Sequence, residues 1–194
     1  MSLIKKRIEE SILIKQKIAD DLSMQNCILQ ASNLIINKIK EGKSIYFCGN
    51  GGSAADAQHL AAELSGRFYF DRAPLSAEAL HCNTSFLTAV ANDYSYDTVY
   101  SRLISGVGRK DDILFGLSTS GNSQNIVNAF LKAKDMGIYT IALTGEKGGK
   151  IKEIADICIC IPSDDTPRIQ EAHITIGHII CEIVESTIFE NSNF

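Results

Sequence analysis

The spacing of apolar residues predicts helices at the start of the chain. Over residues 3–40 they recur at helical intervals, as Ile8 and Ile12 do. The polar stretch at residues 20–23 indicates a break between two helices. We therefore expect residues 1–41 to form an N-terminal helical extension.

Beyond residue 41 the pattern changes to short, uninterrupted apolar runs, each followed by a polar or glycine-rich loop and, in most cases, a helical pattern. Strands that are apolar throughout and alternate with helices are typical of a parallel sheet covered on both faces. We therefore expect an α/β fold, a three-layer α/β/α sandwich around a five-stranded parallel sheet, with residues 1–194 as a single domain. The predicted strands lie at residues 44–48, 77–80, 113–117, 138–143 and 156–161. Ligands bind such sheets at the carboxyl ends of the strands.

The loop at residues 118–123, Ser-Thr-Ser-Gly-Asn-Ser, follows one of these strands and precedes a predicted helix at residues 124–135. The first N–H groups of a helix have no internal partner and lie at the positive end of its dipole, so they favour an anion such as phosphate. Gly121 allows the backbone to approach such a ligand closely. The alternative is a turn whose hydroxyls only cap the helix. One cap needs one hydroxyl and the loop has four, so the sequence favours the phosphate site.

A glycine loop at residues 49–52 follows the first predicted strand and precedes a helix for which Ser53 is the expected N-cap. It lacks the third glycine of the dinucleotide motif, and the loop at residues 118–123 lacks the Gly-Lys-Ser/Thr end of a nucleotide P-loop. On the helix, His59 and Glu63 are four residues apart and share a face. Such a pair can bind one divalent metal, or serve as a base with the group that orients it. A solvated pair on an outer face is the alternative, and the residues alone leave both open.

The last predicted helix contains a second set of polar residues. Gln170 and His178 are eight apart, which leaves them roughly 80° apart around the helix and close enough to reach one site. His173 lies further round the helix. Elsewhere, Asn92 and Asp93 follow an apolar run, form a turn signal and could hold sugar hydroxyls, although a plain Asx turn is the alternative.

Composition and charge narrow the class of partner. Hydrophobic residues make up 45% of the 194 and charged residues 22%, a globular mix. A net charge of −4 gives no electrostatic reason to expect nucleic acid or an anionic membrane. The N-terminus lacks a signal-peptide pattern, and we expect no stretch that could span a bilayer. The six cysteines form no C-x-x-C pair, which suits free thiols in a reducing compartment, so we expect a cytoplasmic protein.

These motifs together resemble a known family. The segments Cys-Gly-Asn-Gly-Gly-Ser-Ala-Ala-Asp-Ala-Gln-His at residues 48–59 and Leu-Ser-Thr-Ser-Gly-Asn-Ser at residues 117–123 resemble sugar isomerase (SIS) domains. Within that superfamily the chain resembles the sedoheptulose 7-phosphate isomerase, or phosphoheptose isomerase, family over nearly its whole length. The resemblance implies a SIS domain with a flavodoxin-like strand order.

The resemblance also implies the residues of the site. Glu63 and His178 are the implied acid/base pair, and one zinc ion per subunit is implied at His59, Glu63, Gln170 and His178. The residues implied to bind substrate are Asn50, Gly51, Gly52, Asn92, Asp93, Ser118, Thr119, Ser120, Ser123 and Gln170. The family forms homotetramers in which neighbouring subunits complete each site, and the apolar stripes of the first and last helices suit such an assembly.

The activity that the resemblance implies is the conversion of D-sedoheptulose 7-phosphate to D-glycero-D-manno-heptose 7-phosphate through an enediolate. Its product would serve ADP-heptose synthesis for lipopolysaccharide or capsule. One alternative is a non-catalytic, phosphosugar-binding SIS protein that partners replication or transcription factors. A pure binder has no need of Glu63 and His178 as a pair, so the sequence favours the enzyme. An isomerase for a shorter sugar phosphate is a further alternative.

Overall fold

The computed structural model describes residues 2–189, and it begins with the two predicted helices. Helix α1 spans Leu3–Asp20 and α2 spans Leu22–Lys40. Asp21 lies between them, and its carboxylate accepts hydrogen bonds from the backbone N–H groups of Ser23 and Met24. The break therefore has a local cause, because an aspartate at this position caps the second helix.

The five predicted strands form one sheet in which every pair of neighbours is parallel. Its order is β2-β1-β3-β4-β5, so the predicted flavodoxin-like order is confirmed. The strands are β1 (Ile45–Gly49), β2 (Ala77–Ala79), β3 (Ile113–Ser118), β4 (Tyr139–Thr144) and β5 (Ile157–Cys160). Parallel pairing brings the loops after β1, β3 and β4 to one edge of the sheet.

Helices cover both faces of this sheet, which confirms the three-layer sandwich. The remaining helices are α3 (Gly52–Ser65), α4 (Thr84–Asp93), α5 (Val99–Val107), α6 (Gln124–Asp135), α7 (Gly149–Ile154) and α8 (Thr166–Phe189). Alternate strand residues enter different cores, as the period of two along a strand requires. Phe47 packs in the core under α2, α3 and α8, whereas Cys48 packs in the core under α5 and α6. Only Ile14 of α1 is buried.

Two local predictions are wrong. Asn92 and Asp93 do not form a turn but the last residues of α4, because the preceding apolar run is helical and Asn83 caps it. Ser53 is not the N-cap of α3. That position belongs to Gly51, which has a φ of 55°, and Ser53 lies buried within the first turn of the helix.

The expectation that no stretch could span a bilayer is also wrong as a statement about length and composition. Helix α8 is long and apolar enough to do so. It packs against α2 and α3, however, and Ile176, Ile180 and Val184 belong to the core beneath the sheet. Its apolar character is therefore that of a core helix.

Close packing of α3 on α8 generates a stability prediction. A Cβ at Gly177 of α8 would lie 2.5 Å from the Cδ2 atom of Leu60, which is 1% exposed and cannot move aside freely. We expect Gly177→Ala to lower the free energy of unfolding by about 1–3 kcal/mol. The matched control is Gly106→Ala in α5, where a Cβ meets nothing within 4 Å and the change should be neutral or stabilising. Urea unfolding of both variants tests this, and equal stabilities would contradict it.

Candidate active site

The serine loop connects β3 to α6, and its hydroxyls are not used to cap the helix. Ser123 occupies the N-cap position of α6, but its side chain makes no capping hydrogen bond. Instead its Oγ lies 3.1 Å from the Oγ of Ser118. The first N–H groups of α6 and these hydroxyls thus lie together at the positive end of the helix dipole. This arrangement favours an anion site over a simple cap.

Backbone contacts hold the serine loop against the loop that follows β4. Gly121 has a φ of 64°, and a Cβ there would lie 1.9 Å from the carbonyl oxygen of Gly148. Its own carbonyl accepts a hydrogen bond of 3.0 Å from the N–H of Ile151. The carboxamide oxygen of Asn122 accepts another from the N–H of Lys150, also 3.0 Å long. Glycine is therefore required here by both conformation and space.

A cavity of about 290 Å³ opens beside this loop at the carboxyl edge of the sheet. Loops that follow β3, β4 and β5 all contribute to its walls. Residues lining it include Thr119, Ser120, Gly145, Lys147, Ser163 and Ile169. Hydroxyls and Lys147 line this space together with the acidic residues Glu146 and Asp164, and its volume suits a small ligand.

A pair of amides links the glycine loop after β1 to the first turn of α6, the helix that follows the serine loop. Asn50 and Asn125 exchange two hydrogen bonds of 2.8 Å through their side chains, and Asn125 is only 3% exposed. The hydroxyl of Tyr96 donates to the Oδ1 atom of Asn50 over 3.2 Å. At the end of the loop, a Cβ on Gly52 would lie 2.6 Å from the Nε2 atom of Gln170, so Gln170 contacts the start of α3.

Two histidines and a glutamate from α3 and α8 converge further along these helices. His59 Nε2 lies 2.8 Å from Glu63 Oε1, and the His59 and His178 rings meet edge to face with centroids 4.9 Å apart. One possible ligand atom from each residue lies within 4.8 Å of the other two. Within residues 2–189, the buried Nε2 atom of His178 has no hydrogen-bond partner. Two imidazoles and a carboxylate are a donor set that suits zinc with one position left open, so these residues fit the metal.

The other predicted site residues lie apart from this cluster in the single chain. Gln170 lies beside Gly52, and His59 is seven positions further along α3 than Gly52, a rise of about 10 Å. Asn92 and Asp93 are exposed at the end of α4, where the Nδ2 atom of Asn92 donates to Asp93 over 2.9 Å.

Sequence reasoning missed two residues beside these groups. Nothing in the sequence marked Asn125 as a site residue except its position in the first turn of the helix after the serine loop. Asp56 is one turn before His59, and its buried Oδ2 atom has no hydrogen-bond partner in the described part of the chain. Burial raises the pKa of Asp56, and the neighbouring His59 and His178 act in the opposite direction. The i, i+3 spacing of Asp56 and His59 could have identified it.

The five-stranded sheet, the serine loop and the glycine loop define a SIS domain, and a family model described as "SIS domain" matches residues 10–145. A phosphoheptose isomerase from Sulfurimonas denitrificans is 52% identical over 186 residues, covering 96% of this chain and 95% of the relative. One from Akkermansia muciniphila is 56% identical over 167 residues, covering 86% and 88%.

Solved structures agree with these relatives. A phosphoheptose isomerase from Francisella tularensis superposes with a TM-score of 0.90 at 35% identity, covering 94% of this chain and 96% of the other. One from Neisseria gonorrhoeae gives 0.88 at 41% identity, covering 94% and 97%. Within the SIS domain family, the chain therefore belongs to the phosphoheptose isomerases.

His173, a buried residue of α8, generates a prediction on pH and stability. It is fully buried, and burial lowers its pKa to about 4 despite a hydrogen bond between Nε2 and the carbonyl oxygen of Thr144. In the unfolded chain this imidazole takes up a proton near pH 6.5, whereas in the folded protein it does so only near pH 4. The folded state therefore has its full stability, as far as His173 is concerned, above pH 6.5 and loses stability as the pH falls toward 4. We expect a loss on the order of 3 kcal/mol over that interval.

Urea unfolding at several pH values between 7.5 and 4.5, for the wild type and His173→Gln, measures this contribution. The variant should be less stable at pH 7.5 but lose less stability on acidification. Parallel stability curves for the two proteins would contradict the assignment.

Proposed function

We infer that this protein is an aldose–ketose isomerase that converts D-sedoheptulose 7-phosphate to D-glycero-D-manno-heptose 7-phosphate. The observation that carries this inference is the convergence of Glu63 with His59 and His178 in a chain about half identical to phosphoheptose isomerases. An anion-binding loop on the same sheet edge adds support, because the substrate is a phosphate ester.

The reaction moves a proton between adjacent carbons and passes through an enediolate. It needs a base at the carbon acid and a proton donor at the neighbouring oxygen. We assign these roles to Glu63 and His178, because a carboxylate can accept the carbon-bound proton and an imidazole can donate or accept one at the oxygen. Asn50, Gly51, Gly52, Asn92 and Asp93 are proposed to bind the sugar.

The phosphate is proposed to bind the serine loop through Ser118, Thr119, Ser120 and Ser123. Contacts that hold this loop rigid, at Gly121 and Asn122, support the assignment. Phosphate binding far from the reacting carbons anchors the substrate and helps to orient it for proton transfer.

A zinc ion is proposed at His59, Glu63 and His178, with Gln170 as a further ligand. The unpartnered Nε2 atom of His178 within the described chain supports this site. When bound, zinc would polarise the substrate carbonyl and stabilise the enediolate. Because Gln170 contacts Gly52 in the single chain, its place among the ligands depends on the assembly.

The assembly is proposed to be a homotetramer in which neighbouring chains complete each site. The exposed apolar face of α1, which includes Ile4 at 74% and Ile8 at 55% exposure, supports association with further copies. We propose that the enzyme works in the cytoplasm and that its product serves ADP-heptose synthesis for lipopolysaccharide or capsule. Nucleic acid and membranes are not proposed as partners.

Turnover of the proposed substrate is the first test. We expect heptose 7-phosphate to form from sedoheptulose 7-phosphate, measured by a discontinuous assay. Glu63→Gln should lower kcat by about 10²- to 10⁴-fold, since a carboxamide cannot accept the proton. Calorimetry should show phosphosugar affinity largely unchanged. The matched control is Glu153→Gln on exposed α7, which should keep wild-type turnover.

Two results would contradict the proposal. No product from the wild type would leave a phosphosugar-binding protein in place of an enzyme. A preference for pentose or hexose phosphates in a substrate panel would keep the isomerase but remove the heptose assignment.

Zinc dependence is a separate prediction. We expect metal-stripped protein to regain turnover as zinc is added, and to bind one zinc per chain in a competition assay with a chromophoric chelator. His59→Gln should weaken zinc binding, because it removes one imidazole ligand. Turnover that does not respond to zinc would restrict Glu63 and His178 to metal-free acid/base chemistry.

A further inference from the structure

A buried ion pair lies next to the proposed active site without belonging to it. Arg72, in the segment between α3 and β2, and Glu185 of α8 both have fully buried side chains, and Arg72 Nε lies 2.8 Å from Glu185 Oε1. An ion pair this deep is costly unless further hydrogen bonds satisfy both groups. Both groups do have such bonds.

Glu185 holds the loop that follows α3. Its carboxylate accepts hydrogen bonds from the backbone N–H groups of Phe68, Tyr69 and Phe70 at 2.9, 2.6 and 3.1 Å. Burial alone would raise the pKa of Glu185, but these three bonds and the one from Arg72 lower it below the usual range. The carboxylate is therefore ionised at neutral pH and fixes three consecutive backbone groups.

Arg72 caps the carboxyl end of α3. Its guanidinium donates to the carbonyl oxygens of Glu63 and Leu64 over 2.8 and 2.7 Å, and to that of Gly66 over 2.9 Å. A cation at this position satisfies the last carbonyls and interacts favourably with the helix dipole. One of these carbonyls belongs to Glu63, the proposed base.

These contacts connect the buried ion pair to both residues of the proposed acid/base pair. Glu185 lies two turns after His178 on α8, and the ring of Phe68, whose N–H it binds, lies 5.7 Å from the ring of His178. The pair thus joins the end of α3 that presents Glu63 to the helix that presents His178, and Phe68 lies beside His178.

We propose that Arg72 and Glu185 are positioning residues of this active site, which hold Glu63 on α3 and His178 on α8 at the separation that metal binding and proton transfer require. The inference rests on the proposed function. It adds that residues which touch neither substrate nor metal set the geometry of the site, in the way that supporting groups orient metal ligands.

The test compares Glu185→Gln and Arg72→Lys with Glu182→Gln, a substitution on the exposed face of α8. Zinc affinity is measured by chelator competition on the full chain at a temperature where each variant is folded. We expect the zinc dissociation constant to rise roughly 10- to 100-fold in the first two variants and to stay at the wild-type value in the third. A merely structural role would reduce the number of zinc sites per chain and leave that constant unchanged.

Kinetics give a second readout. We expect kcat to fall roughly 10- to 100-fold in the two ion-pair variants, while KM stays within about twofold, since the phosphate binds other loops. Phe68→Leu leaves both ions in place and should also weaken zinc binding and lower kcat. If neither ion-pair variant folds, the zinc dissociation constant and kcat of Phe68→Leu are the measurements that test the positioning role.

Unchanged zinc dissociation constants and unchanged kcat in the folded variants would overturn the positioning role. Failure of the proposed function gives a different result, because the wild type itself would then produce no heptose 7-phosphate. If that protein still binds zinc, the comparison of dissociation constants continues to test the positioning role alone.

Discussion

The contact between α3 and α8 is the constraint on which the candidate site depends. Gly177 has no side chain where Leu60 packs, so the two helices approach closely enough for residues next to this contact and one turn along α3 to meet. His59 and Glu63 come from one helix and His178 from the other, and none of the three could form the cluster alone. The packing of an apolar core thereby determines the distance between polar groups at its edge.

The sheet imposes a second constraint, on the loops. Because all five strands are parallel, the glycine loop after β1 and the serine loop after β3 emerge side by side. Side-chain amides then tie the glycine loop to the start of α6, directly after the serine loop, since Asn50 and Asn125 satisfy each other through two hydrogen bonds. Backbone packing of Gly121 on Gly148 fixes the serine loop from its other side. These contacts hold the serine loop, the proposed phosphate site, without using a charged side chain.

The parts of this structure that could be predicted are those that local sequence determines. Apolar runs and turn residues predicted all five strands, and the polar break at Asp21 predicted the helix pair. The i, i+4 spacing placed His59 and Glu63 together, but their approach to His178 came only from the family resemblance. Long-range partners remained out of reach: Arg72 and Glu185 are 113 residues apart, and nothing near either residue indicates the other. The error at Asn92 and Asp93 arose because a turn dipeptide can also end a helix.

Hydrogen bonding separates the supporting part of the site from the part that meets a ligand. Glu185 and Arg72 are buried and have partners for their charged groups, as buried ions require. In the described residues, Nε2 of His178 and Oδ2 of Asp56 are buried without partners, a condition that costs about 1–3 kcal/mol for each group. In the same residues, one buried nitrogen of His173 also has no partner, but His173 does not belong to the cluster of His59, Glu63 and His178. An unpartnered atom is therefore insufficient evidence of a site by itself. His178 differs because a carboxylate and a second imidazole lie beside it, and the three groups together fit the proposed metal site.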